Sequence, residues 1–145
     1  MKDNFFQRSM GDFVVTPAML NQLSILHGGE LVKHLDSTMG IFVSEYNHSL
    51  ALTGRIDHLS FNKRLHLNEH VNFSISLLKT TSHTMVVHAF INLVGLDNTH
   101  KCVGEAVFTF VAINDNFEPI PVRPFIPIDL SQKQFIEAKL KQLSI

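Results

Sequence analysis

With 145 residues, 45% of them apolar and 17% charged, the chain has the material for one ordinary globular domain with a real core. Twelve Lys and Arg against thirteen Asp and Glu leave a net charge of -1, which removes any general electrostatic case for nucleic acid or an anionic membrane. No apolar run reaches membrane-spanning length, Met1-Lys2-Asp3-Asn4 lead into no secretory leader, and a lone Cys102 excludes an internal disulfide, so a reducing cytoplasm is the expected setting.

Asp12 to Thr16, stopped by Pro17, predict a short first strand. Residues 17–27 have no clear period and predict a loop. From Gly28 to about Tyr46 the apolar positions Val32, Leu35, Met39 and Phe42 step by three, four and three, which is helical spacing. Residues 50–61, LALTGRIDHLSF, open a β-rich half, and Val71, Phe73, Ile75 and Leu77 alternate with polar or small residues. Residues 84–95 and 102–113 are long, mostly apolar runs suited to central strands, joined by the turn-forming LDNTHK. After Asn114 the proline-rich EPIPVRPFIPI must run extended. A closing helix is expected from about Ser131, where Ser131 and Gln134 fit a capping box. With Lys139 and Lys141 flanking Leu140, it reads as a solvated amphipathic cap or an assembly contact. One long helix followed by antiparallel strands is an α+β layout with the sheet packed on the helix.

Candidate chemistry gathers in Leu26–Asp36, LHGGELVKHLD. The first N–H groups of a helix have no internal partner and carry the positive end of its dipole. Bare glycines there, Gly28 and Gly29, suit an oxyanion, or else serve close packing or capping. Asp36 lies seven residues after Gly29, about two turns along the same face, at the edge of the apolar stripe. A half-buried carboxylate there suits a base or nucleophile, and the alternative is a solvated partner for Lys33. Asn21, in the loop ahead, either donates its amide to the same oxygen or bonds its own backbone. His27 either touches substrate or caps the helix. His66 and His70, in HLNEH, have the glutamate misplaced for a zinc-protease motif and fall at a turn, so no metal site is expected. Cys102 is read as packing in an apolar strand start.

Together the residues TPAMLNQLSILHGGELVKHLD, with Pro17, Asn21, His27-Gly28-Gly29 and Asp36, resemble a known pattern. It is that of the acyl-CoA thioesterases of the hot-dog fold, in particular the short bacterial acyl-CoA hydrolases related to the brain-type enzyme. LALTGRIDHLSF, with Thr53, Asp57 and Phe61, and GEAVFTFVAIND, from Glu105 to Asp115, continue the likeness over roughly residues 12–122. The chain departs from the pattern at Met19, where an aspartate is common, and at Leu23, which is bulkier than usual. It departs again at Arg64 for proline, Asn68 for a turn glycine, and Ser82-His83 for Gly-Arg, which removes an arginine that serves CoA phosphates in the family.

The resemblance implies a single hot-dog domain over residues 1–145, an antiparallel sheet wrapped around a long central helix with a C-terminal helix added. It also implies acyl-CoA hydrolysis to free fatty acid and CoA at a site shared across a dimer, with the dimers assembled into hexamers as trimers of dimers. Asn21 and Asp36 would be catalytic, with Asp36 of the partner acting as base or nucleophile. His27, Gly28, Gly29, Thr53, Phe61 and Thr84 would bind the oxyanion or substrate. No metal and no cofactor is expected beyond CoA as part of the substrate, and neither nucleic acid nor membrane as partner. The competing expectations are a hot-dog domain that binds acyl-CoA without turning it over, and a hot-dog dehydratase, whose histidine-and-glutamate arrangement is not recognisable here.

Overall fold

In the computed structural model, which describes residues 5–145, Gly28–Asn47 form one helix, α1. Its buried face carries Leu31, Leu35, Met39, Phe42, Val43 and Tyr46, at the three-and-four spacing of a 3.6-residue turn. Val32, at the rim of the expected stripe, is only half-buried. His48, in the left-handed region at φ 51°, ends the helix.

Five strands, β1 (Arg8–Val14), β2 (Leu50–Phe61), β3 (His70–Thr80), β4 (Thr84–Val94) and β5 (His100–Ile113), make one antiparallel sheet in the order β1-β3-β4-β5-β2. The helix lies against one face, where Phe73, Ile75, Val87, Ile91, Phe108 and Phe110 close over Leu35, Met39 and Phe42. This is the hot-dog arrangement of a sheet curled around a long helix. It leaves β1 and β2 as edges, and only β5 pairs with β2.

Two expectations need correction. The first strand runs from Arg8 to Val14, not Asp12 to Thr16. Gly11, at φ 78°, sits in an irregularity between Met10 and Phe13, and this lets a polar stretch keep pairing with β3 where simple alternation would have lapsed. The closing helix, α2, spans Leu130–Gln142 and is capped by Asp129, whose carboxylate accepts from the Gln132 amide at 2.9 Å. Asp129 outdoes Ser131 because it stands one residue ahead of the first helical turn, where the orphan amides point. In keeping with an amphipathic cap, α2 packs one face, its Ile136 lying with Leu78, Val86 and Val107 on the outer face of the sheet.

That covered outer face explains why β3 and β4 are buried on both sides. Its polar residues bond one another: the Asn92 amide donates to the Ser74 hydroxyl at 2.9 Å, and Asn72 donates to Asp12 at 3.0 Å. His88 is fully buried there, edge-on to Phe90 and Phe135. Its Nε2 bonds Glu105 at 2.6 Å, and Glu105 also pairs with Lys139 of α2, while His88 Nδ1 has no partner among the described residues. Burial pushes the His88 imidazole below its ordinary 6.5, against the pull of Glu105. Burial pushes the Glu105 carboxyl up, but the bonds from Lys139 and His88 outweigh it and hold the group below its ordinary value.

Both groups are therefore depressed in the folded chain, so the unfolded chain binds more protons as the medium turns acid. This part of the stability is complete above pH 6.5 and is lost on acidification, first through the histidine and then through the carboxylate range. Urea unfolding at stepped pH should show the free energy falling below pH 6.5 by up to about 1.4 kcal/mol per pH unit for each proton taken up. The irregularity within β1 gives a second test. A Cβ on Gly11 would lie 2.6 Å from Thr38 Oγ1 and 2.7 Å from Phe73 Cδ2. Gly11→Ala adds backbone strain to that clash, and denaturant titration should register a loss of about 2–4 kcal/mol.

Candidate active site

The loop ahead of α1 is closed on itself. The Asn21 amide donates to Ile25 O at 2.9 Å, Leu20 and Leu26 bridge, and Ser24 takes a left-handed φ of 60°. Asn21 Oδ1 accepts from the Leu23 amide at 2.8 Å, so the side chain does bond its own backbone. Its Nδ2 carries no bond among the described residues and is left to donate outward. Two further bonds hold the loop in place, from the His27 amide to Met19 O and from the Leu26 amide to Leu65 O, both at 2.8 Å.

His27 is the N-cap of α1, and its Nδ1 accepts from the Gly29 amide at 3.0 Å. The amides of Glu30 and Leu31 turn to His27 O. The expected pair of glycine amides is therefore reduced to one: Gly29 N–H is engaged by His27, and Gly28 N–H has no acceptor among the described residues. The two glycines have different reasons to be bare. A Cβ on Gly29 would meet His27 Nδ1 at 3.2 Å, whereas a Cβ on Gly28 would meet only Phe61 Cε2, at an ordinary 3.9 Å. Nothing within the subunit requires glycine at position 28. Gly28 instead lines a cleft of about 430 Å³ together with Asn21, Phe61, Lys63 and Arg64.

Asp36 is not in that cleft. It is half-buried and accepts a hydrogen bond from the Thr53 hydroxyl of β2; no ion pair with Lys33 forms. Asp36 and Thr53 line a second, open cleft of about 600 Å³ with Gly40, Ile41, Glu45 and Leu52. Eight residues of helix separate Gly28 from Asp36, a rise of about 12 Å. The two clefts lie at opposite ends of the same edge strand, Phe61 closing one and Leu50 to Thr53 the other.

Thr84 stands apart from both clefts, bonded to Thr81 in the β3–β4 turn with the two hydroxyl oxygens 2.5 Å apart. His66 bonds Glu69 and His70 bonds Asp12, so these two histidines serve different carboxylates. Cys102 is exposed, not packed, at a point where β5 still pairs with β4 but has run past the end of its pairing with β2. Asp57 accepts from Thr109 at 2.6 Å and pairs with Arg55, which makes it a strand-bracing residue. Lys63 and Arg64 were not expected as lining residues, and the signal available was two adjacent cations between an apolar strand and Leu65.

Set beside known proteins, residues 23–92 match the thioesterase superfamily. The chain is 24% identical over 136 residues to the cytosolic acyl coenzyme A thioester hydrolase of Rattus norvegicus, covering 91% of this chain. It spans only 36% of that relative's length. An acyl-CoA hydrolase from Staphylococcus aureus, solved with butyryl-CoA, CoA and CoA disulfide, shares 20% identity with a TM-score of 0.84, over 94% of this chain and 84% of its own. Solved variants of that enzyme replace an asparagine, an aspartate and a threonine by alanine, at the same intervals along the chain as Asn21, Asp36 and Thr53 here. A hexameric thioesterase from Yersinia pestis shares 23% identity with a TM-score of 0.73, over 79% and 93%.

The contrast between the glycines is open to a direct measurement of stability. Gly28→Ala should leave the melting temperature unchanged or raise it, because alanine favours a helix and meets no clash. Gly29→Ala should cost about 1 kcal/mol, as the His27 ring is pushed from its cap.

Proposed function

We propose that the chain, whose residues 23–92 match the thioesterase superfamily, is an acyl-CoA hydrolase with an active site completed only between two copies. One observation carries this reading: the amide-lined cleft and the carboxylate-lined cleft lie at opposite ends of the edge strand β2, which pairs with β5 on one side only. If two copies pair antiparallel along β2, the Phe61 end of one meets the Thr53 end of the other. Each Asn21–Gly28 cleft then receives Asp36 of the second copy, twice over by symmetry. Leu50, Leu52, Ile56 and Phe61 on this strand, and Ile41 on the flanking helix, are all exposed apolar side chains that such pairing would cover. The intervals shared with the replaced residues of the Staphylococcus aureus enzyme support the same set of groups.

In this site the thioester carbonyl oxygen accepts from Gly28 N–H and Asn21 Nδ2 as negative charge develops on it. Asp36 of the second copy takes a proton from water as the water oxygen attacks the carbonyl carbon. Collapse of the tetrahedral adduct breaks the C–S bond, and the thiolate leaves with its electron pair as CoA. The alternative route has the Asp36 carboxylate attack directly and form an anhydride that water opens. Thr53 donates to Asp36 and fixes its orientation; His27 and Gly29 hold the helix tip. Phe61 walls the acyl or pantetheine path. Thr84 has no role in this cleft, and any contact with substrate would have to come through further assembly.

A thiolate is a good leaving group, so the reading needs no metal and no cofactor other than the CoA of the substrate. It takes residues 1–145 as one hot-dog thioesterase domain, hexameric like two of its structural neighbours, with the hexamer proposed here as three dimers. No helix among the described residues is long and apolar enough to cross a membrane. The cytoplasm is the compartment assigned, on the unpaired exposed Cys102 and the cytosolic name of the rodent relatives.

Thiol release from a panel of acyl-CoAs, followed with a thiol-reactive dye, tests the activity. Asp36→Asn should lower kcat at least about a hundredfold with CoA binding and melting temperature kept, and Asn21→Ala should lower kcat more than it changes KM. Mixing the two inactive variants should restore about a quarter of the wild-type activity, since only mixed dimers hold one site with both groups intact. Undiminished activity in Asp36→Asn removes that residue from the chemistry. Binding of acyl-CoA by the wild type without thiol release turns the reading towards a sensor.

A further inference from the structure

The cleft at the tip of α1 has an unbalanced charge that the chemistry at Gly28 does not use. Lys63 and Arg64 line it, and no carboxylate does, in a chain whose net charge is -1. Four other cations of this protein are held by partners within the fold. Arg8 pairs with Glu45, Arg55 with Asp57, Lys139 with Glu105, and Arg123 donates to Tyr46 O. Lys63 and Arg64 have neither an ion-pair nor a hydrogen-bond partner among the described residues, and both are exposed.

Their backbone, by contrast, is tightly held. The Asn62 amide donates to Val103 O at 2.6 Å, Leu65 is buried in the core, and Leu65 O accepts from the Leu26 amide at 2.8 Å. Two adjacent cations are thus presented on a two-residue span between fixed points, with their side chains free to reach. Two like charges side by side repel, and without a carboxylate to balance them the arrangement favours a multivalent anion at that spot. Arginine gives a planar fork for phosphate oxygens and lysine a mobile point charge beside it.

We infer that Lys63 and Arg64 are the phosphate-recognition residues of this site, holding the phosphates of a CoA thioester at the mouth of the cleft whose wall carries Asn21 and Gly28. The inference deepens the hydrolase reading and rests on it for the nature of the ligand. The division of space fits such a substrate. Its thioester requires bare amides and little charge, and its nucleotide end carries anionic oxygens separated from the thioester by the uncharged pantetheine arm. Ile25, Leu26 and Leu31 supply the apolar wall along which that arm can lie. The two cations act in binding and take no part in bond breaking, so they set KM for CoA esters and leave kcat alone.

The test compares one acyl group on three carriers, CoA, dephospho-CoA and pantetheine, with wild type and the double variant Lys63→Ala/Arg64→Ala. The variant should raise KM for the acyl-CoA about tenfold or more with kcat within about twofold, and lose most of the salt dependence of kcat/KM. Acyl-pantetheine, which carries no phosphate, should be turned over equally by both proteins. A defect kept with dephospho-CoA assigns the pair to the diphosphate, and one lost with it assigns the pair to the 3′-phosphate. Unchanged KM for acyl-CoA, or an equal defect on acyl-pantetheine, overturns the inference while leaving the hydrolase reading intact. Calorimetry with free CoA separates the remaining case: binding to wild type that weakens in the variant, without turnover of any ester, sustains the phosphate site and sinks the hydrolase. No CoA binding by the wild type sinks both.

Discussion

One backbone hydrogen bond fixes the geometry on which the site depends. The Leu26 amide donates to Leu65 O, joining the loop before α1 to the loop after β2. Buried in the interior, such a bond is kept because the unpaired amide would cost its full desolvation. Through it the helix tip, with Gly28, is held facing Phe61, Lys63 and Arg64, residues 33 or more positions away in sequence. Leu26 and Leu65, both buried, then clamp the two loops from the core side.

Within that frame the paired glycines divide their work. Gly29 is bare so that the His27 imidazole can sit over its amide and cap the helix. With the cap in place, the first turn is held without a ligand, and the amide of Gly28 remains as the one free donor of the pair. A helix tip with all its amides unpaired would hold an anion more strongly and would discriminate less between ester and product carboxylate. In the proposed site a single donor, aided by Asn21 Nδ2, is better matched to the partial charge of a carbonyl that becomes an oxyanion only transiently. Of the two readings weighed for Asn21, the structure shows the backbone-bonding one through Oδ1, and Nδ2 is left for the proposed donation.

The parts of this architecture legible in the sequence are those governed by local periodicity. The three-and-four spacing gave α1 its full length, and the apolar runs gave β4 and β5 nearly to the residue. What escaped was set by tertiary pairing. Arg8 to Met10 have no apolar alternation and are a strand because β3 offers them a ladder. Asp129 displaced Ser131 as the cap through a one-residue difference in where the chain enters α2. The burial of His88 follows from α2 folding over the outer face, which no strand pattern could announce. At the site, residue types were readable from LHGGELVKHLD, but their distribution between two clefts was not, since it depends on which strand becomes an edge.

That distribution also bears on how two copies would find each other. The cleft at the helix tip holds Lys63 and Arg64 and no acid, while the cleft at the other end of β2 holds Asp36 and no cation, its Glu45 being paired with Arg8. In the proposed antiparallel pairing the cationic end of each copy approaches the acidic end of the other. A parallel alignment would set like against like at both ends. Complementary charge of this kind contributes more to register and encounter rate than to final affinity, which comes from covering the apolar side chains of β2. It also gives a physical reason to keep Asp36 away from Gly28 within one subunit. A carboxylate beside its own helix tip would be drawn to the free amide and the adjacent cations, occupying the place of the ester oxygen. Asp36 is instead held by Thr53 on a different cleft, and in the proposed pairing it would enter from the second copy, apart from the donors.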